Sequence, residues 1–184
     1  MQYLAERPLQ AEDLVAVRKQ LNMTQAEFAR LVGSTAKNIN RIENGKVRMN
    51  GSMSFILLSL LCDPALVEKM RVPERTLPLR IWYLHLNTPC TLIDADQSAR
   101  IVRIRNYVAY VPYRAFGVNT EPSYEDFEAF LESRCFPRER DNAKLVLRTM
   151  SLPFYDPLEI ILRTEGRLEE DEFRLIVERR GIDP

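Results

Sequence analysis

The sequence predicts two domains of different class: an all-α domain of five helices at the N-terminus, then an α+β domain with a small antiparallel sheet and about three helices. Three observations carry this. Between residues 11 and 70, apolar side chains recur at helical spacing, with capping residues before the runs and glycine after them. Residues 71–78, Arg-Val-Pro-Glu-Arg-Thr-Leu-Pro, hold two prolines and no apolar period, which suits a short semi-rigid linker. From residue 79 the apolar period becomes two, and it returns to helical spacing beyond residue 123. The expected division is 1–72, a linker at 73–78, and 79–184.

Residues 1–10 read as a loose arm. Leu14, Val17, Arg18 and Leu21 mark a first helix over 11–21. Thr24 with Glu27 three residues on forms a capping box for the second, whose apolar face is Phe28, Leu31 and Val32. Gly33 ends it, where a left-handed residue costs least. Ser34 and Thr35 supply the next cap, Ile39 and Ile42 aim a third helix at the same core, and Asn44-Gly45 stops it. Residues 47–51 form a polar connection. The fourth helix, with Met53, 55–58, Leu60 and Leu61 apolar nearly all round, is expected to be deeply buried or to lie at an interface. Asp63, with Pro64 behind it, is expected to cap a fifth helix ending near Met70.

Two short helices locked by a tight turn suit sequence-specific DNA binding, where the second helix enters the major groove. Ala36, Lys37, Asn40, Arg41 and Asn44 share the face opposite Ile39 and Ile42. Arginine and lysine can bond guanine edges, asparagine can pair with adenine, and a small apolar group can touch the thymine methyl. Gln25, at the start of the second helix, is placed to bond a phosphate. The full candidate DNA-contacting set is Gln25, Thr35, Ala36, Lys37, Asn40, Arg41, Asn44, Lys46 and Arg48.

Net charge is zero, yet residues 18–48 carry seven Lys/Arg against two Asp/Glu, whereas residues 73–184 carry sixteen against nineteen. Positive charge is thus focused on the candidate reading helices, and the second domain gains little from phosphate. The hydrophobic fraction of 46% and charged fraction of 28% are ordinary for a globular chain. No run of 18 apolar residues suggests a membrane span, and the N-terminus shows no basic and apolar leader pattern, so a cytoplasmic protein is expected.

The second domain opens with strand signals at 79–86 and 91–94, a loop at 95–98, and an alternating run at 99–108 whose even positions are mostly apolar. Two or three antiparallel strands with a hairpin near Asp96 follow from this. Ser123 caps a helix over 124–133 with Phe127, Phe130, Leu131 and Arg134 along one side, and Pro137 breaks it. A helix over 141–150 and another from Asp156-Pro157 to Gly166 come next, with a last strand over 173–177.

Chemistry-bearing residues are sparse. All six glycines are isolated, so no phosphate-cradling loop exists, and one histidine, His85, limits any triad or metal centre. His85 reads as an exposed strand position. Cys62, Cys90 and Cys135 form no metal-ligand spacing and read as reduced, partly buried thiols. The run Glu169 to Glu172 reads as a solvated acidic turn. Arg134, Arg138 and Arg140 read as a ring of ion pairs to Glu132, Glu139 and Asp141. No catalytic residues, metal ligands or cofactor are expected, and the chain is not expected to be an enzyme.

Residues 24–29 (Thr-Gln-Ala-Glu-Phe-Ala), Gly33, Ile39 and residues 41–46 (Arg-Ile-Glu-Asn-Gly-Lys) resemble the Xre/Cro helix-turn-helix family of phage repressors and antitoxins over residues 11–70. That resemblance implies a five-helix domain binding a palindromic operator duplex as a homodimer. By position it implies phosphate contact at Gln25, base reading at Ala36, Lys37 and Arg41, and backbone clamping at Lys46 and Arg48. Residues 114–119, 131–138 and 152–157 resemble a module associated with proteins encoded beside HipA-like toxin kinases; no kinase motif is present. Two functions are therefore expected to compete, ahead of a third, an enzyme fused to a DNA-binding domain, which the lack of any acid–base or nucleophile constellation disfavours. One is an autoregulating repressor whose C-terminal domain binds a protein partner, as an antitoxin of the HipB type would. The other is a phage-type repressor whose second domain dimerises or senses. A bifunctional inhibitor protein with an autoregulatory DNA-binding domain is a further alternative.

Overall fold

The computed structural model describes residues 9–179, so most of the arm expected over 1–10 lies outside the described residues. The chain divides into two compact units, Met1–Val72 and Pro73–Pro184.

The first unit is helical: α1 (Ala11–Gln20), α2 (Gln25–Leu31), α3 (Ala36–Glu43), α4 (Gly51–Cys62) and α5 (Leu66–Met70). Local chemistry sets the boundaries. The Thr24–Glu27 capping box opens α2, and the Thr35 hydroxyl accepts the Asn38 N–H to open α3. Gly33 stands at φ 65°, and behind it the Ser34 N–H reaches Ala29 O at 2.8 Å, closing α2 in a Schellman motif. This turn points α3 across α2. Leu14, Phe28 and Ile39 meet fully buried beneath it, joined by Ile42, Leu57 and Val67. Each such side chain contributes roughly 1.5–3 kcal/mol by leaving water.

One helix boundary differs from its expected place. α5 begins at Leu66, not Pro64, because Asp63 spends its side chain on the Ala65 N–H and on Lys69 Nζ, forming a turn before the helix. α4, expected to be deeply buried or to lie at an interface, is buried on one side: Met53, Leu57 and Leu60 face the core, while Phe55 is 63% exposed and Leu61 is exposed with it.

The second unit holds β1 (Leu79–His85), β2 (Thr88–Asp96), β3 (Ile101–Asn106), a short 3-10 turn at Val111–Tyr113, α6 (Tyr124–Ser133), α7 (Ala143–Thr149), α8 (Pro157–Thr164) and β4 (Phe173–Arg179). Its four strands form one antiparallel sheet in the order β3-β2-β1-β4. Ile93 sits opposite both Ile81 and Ile104, and Ile81 opposite Val177, so one parity of every strand supplies the core face. Phe127, Phe130 and Leu131 of α6, and Leu158, Ile160 and Ile161 of α8, join Ile81, Ile93 and Leu175 in the core.

β2 extends through Ala95 and Asp96, which were expected in a loop. The turn lies at 97–100, where Asp96 Oδ1 accepts the N–H groups of Ser98 and Ala99. α7 starts at Ala143 rather than at 141, and β4 closes the edge beside β1.

Candidate nucleic-acid interface

α3 is the centre of the site. Ile39 and Ile42 anchor it, and its other face leaves Ala36, Lys37, Asn40 and Arg41 exposed, with Asn44 exposed at the C-cap. Lys46 and Arg48 are exposed on the segment that follows. The second Schellman turn, in which Lys46 N–H bonds Arg41 O at 2.9 Å and Gly45 N–H bonds Ile42 O at 2.9 Å, sends this segment away from the helix axis. Thr35 holds the helix start with its hydroxyl, so its role is first a capping one.

The orientation of α3 is fixed by an ion pair that sequence reasoning did not find. Arg18 of α1 grips Glu43 at the end of α3 with Nε–Oε1 at 2.6 Å and Nη2–Oε2 at 3.2 Å. The remaining arm of the guanidinium donates to Met23 O at 2.8 Å, so one side chain ties α1, the turn before α2, and α3. Burial alone would raise the Glu43 carboxyl. The hydrogen bonds from Arg18 and Gln25, together with their positive neighbours, outweigh it and hold the group below the usual carboxylate range. Arg18 is pushed up correspondingly, chiefly by its hydrogen bond to Glu43. No local period could have linked these two, which lie 25 residues apart. The only sequence hint was a charged residue, Arg18, on the apolar stripe of its helix.

Gln25 is drawn into the same network. Its Nε2 donates to Glu43 Oε2 at 2.7 Å, and its Oε1 accepts from Asn40 Nδ2 at 3.3 Å. Asn44 Nδ2 donates in turn to Asn40 O at 2.7 Å and to Asn40 Oδ1 at 3.2 Å. The structure therefore brings Gln25, Asn40 and Asn44 together as one hydrogen-bonded cluster. Lys37 and Arg41 are exposed on the same helix, and Lys46 and Arg48 are exposed beyond its end.

In the second unit three side chains stand differently from their expected places. His85 is not an exposed strand position: it stacks on Tyr113 at 4.2 Å and meets Phe173 edge-on at 5.0 Å. Asp171 leaves the acidic run to pair with Arg134, whose Nη1 reaches its Oδ2 at 2.6 Å. Arg134 is buried rather than part of a surface ring; it also donates to Gly166 O and Phe173 O, while Arg138 alone among the three bonds Glu132. Cys90 and Cys135 are buried free thiols, and burial pushes Cys135 up to about 12. Among the described residues no group of three or more His, Cys, Asp or Glu side chains is placed to hold a metal ion, and no helix is long and apolar enough to cross a membrane.

The exposed, capped second helix of a two-helix turn, with basic and amide side chains on its outer face, defines a DNA-reading module. Comparison with known proteins agrees for this part of the chain: residues 14–61 match the family described as helix-turn-helix, an Xre-like module of DNA-binding transcription regulators. The match runs from Leu14 within α1 to nearly the end of α4 and covers about a quarter of the chain. No curated protein matches the chain.

Proposed function

We propose that this chain is a sequence-specific transcriptional repressor that binds a palindromic duplex as a homodimer, regulates its own expression, and uses its second unit to bind a protein partner, as an antitoxin of the HipB type does. The observation that carries the DNA-binding part is the exposed face of α3, with Lys37, Asn40, Arg41 and Asn44 set over buried Ile39 and Ile42. Arg41 and Lys37 read base edges in the major groove, Ala36 meets a thymine methyl, and Lys46 and Arg48 neutralise phosphates. Dimerisation is supported by Phe55 and Leu61, large apolar side chains exposed on α4. Two recognition helices on a two-fold axis would then meet half-sites about one helical turn apart. Protein binding by the second unit is supported by its acidic excess of nineteen Asp/Glu over sixteen Lys/Arg. Its exposed Tyr110, Val118, Leu145 and Phe154 are available as anchors.

Arg41→Ala tests base reading. It should cost about 1–3 kcal/mol on the cognate duplex and relax the preference at one base pair of each half-site. Anisotropy titration at fixed salt measures this; equal losses on cognate and random duplexes would remove Arg41 from the readers. Lys46→Ala should instead weaken binding to all duplexes alike. It should also reduce the slope of log K against log salt by about one. An unchanged slope would place Lys46 away from phosphate.

A further inference from the structure

Resting on the reading of α3 as the recognition helix, we infer that Asn40 reads an adenine in each half-site, and that Gln25 serves to orient Asn40 rather than to hold a phosphate. Amide side chains carry a donor and an acceptor end of equal shape, so their direction must be set by what they face. Here a chain of such constraints starts at a group that cannot flip. Glu43, ionised against Arg18, only accepts. It therefore requires the NH₂ of Gln25, whose Nε2 stands 2.7 Å from Glu43 Oε2. That turns Gln25 Oε1 toward Asn40, which must answer with its own NH₂, at 3.3 Å. Asn40 Oδ1 is then left to accept from Asn44 Nδ2 at 3.2 Å, and the same Asn44 group is held by Asn40 O at 2.7 Å.

The count of unused valences gives the base. Asn40 has two N–H donors and two acceptor lone pairs on its amide. One donor goes to Gln25 and one lone pair is taken by Asn44, so one of each remains on an exposed side chain. A paired donor and acceptor matches the major-groove edge of adenine, where N7 accepts and the N6 amino group donates. Guanine offers two acceptors there, N7 and O6, so one would face the amide oxygen of Asn40. Cytosine offers only a donor, and thymine only an acceptor beside its methyl. Guanine is rejected whichever way the amide turns; the polarity transmitted from Glu43 fixes which end is which, so Asn40 Nδ2 donates to adenine N7 and Asn40 Oδ1 accepts from the N6 amino group.

The experiment is enrichment of a randomised duplex by the full-length protein, followed by titration of the enriched site. The site is expected to hold one adenine per half-site that the wild-type protein requires. Replacing that adenine by 7-deazaadenine, which lacks the N7 acceptor, should weaken wild-type binding roughly 5- to 150-fold. Asn40→Ala should bind adenine and 7-deazaadenine duplexes equally. Gln25→Leu should show the same loss of discrimination at that base pair, with an unchanged salt slope and no additional effect in the Asn40→Ala background. Circular dichroism melting should show both variants folded, since Asn40 is exposed and Leu keeps the stem of Gln25. A 7-deaza penalty that persists in Asn40→Ala would assign the adenine to another residue and overturn the proposal. So would a Gln25→Leu variant that loses equally on every sequence with a salt slope lower by about one, which is the behaviour of a phosphate ligand. If the wild-type protein enriches no sequence, the recognition-helix reading itself fails; an enriched site without a required adenine overturns the Asn40 assignment alone.

Discussion

Arg134→Met is expected to destabilise the second unit by about 3 kcal/mol, read as a lower midpoint of chemical denaturation. The guanidinium is nearly buried, its side chain 7% exposed, and it holds four acceptors at once: both oxygens of Asp171, Gly166 O and Phe173 O. Removing one partner of such a pair leaves the rest uncompensated, which costs about 3–5 kcal/mol when both are buried. Asp171 keeps 28% of its side chain in solvent and can recruit water, which puts the loss at the lower end. Trp82, the single tryptophan, lies on β1 stacked against Tyr107 and reports this unit selectively. A midpoint unchanged in Arg134→Met would show that the pair is not what locks the segment 165–173 to the sheet.

The same pair gives a pH dependence whose sign follows from Asp171. The hydrogen bond from Arg134, with further help from the Phe173 N–H, holds its carboxyl below the ordinary range despite partial burial. A folded value below the unfolded one means the stabilisation is complete above the unfolded carboxylate pKa of about 3.9. It is then lost as pH falls through the depressed folded value. Denaturation followed at Trp82 between neutrality and pH 3 should therefore show a shallower acid loss in Arg134→Met than in the wild type. Parallel curves would mean that other carboxylates govern the acid limb.

Local order was readable wherever the determinants were local. The Thr24–Glu27 box, Gly33 in its left-handed turn and the Ile39–Ile42 spacing lie within a few residues of what they control, and α2 and α3 form where these signals stand. The alternation over β3 likewise announced the sheet, with Val102 and Ile104 turned to the core. What stayed hidden depends on distant partners. Phe173 to Val177 read as a strand, but its place beside β1 rests on pairs such as Trp82 with Ile176, which no sequence period connects. Arg134 was read on the apolar side of its helix and also as a surface cation; its partner Asp171 lies 37 residues on, within an acidic run. In the candidate site the exposed positions of α3 could be named from spacing alone. The relay through Arg18, Glu43 and Gln25 could not, because each link joins a different pair of helices.

If the α2–α3 pair reads a particular duplex, the ratio of specific to non-specific affinity shows it most directly. The full-length protein is titrated, at one physiological salt concentration, with the duplex it enriches from a random pool and with a scrambled duplex of equal length and composition. Specific recognition through Asn40, Arg41 and Lys37, with phosphate contacts common to both duplexes, predicts at least roughly a 10³-fold preference, about 4 kcal/mol. Equal affinities for the two duplexes, or no measurable binding to either, would contradict it.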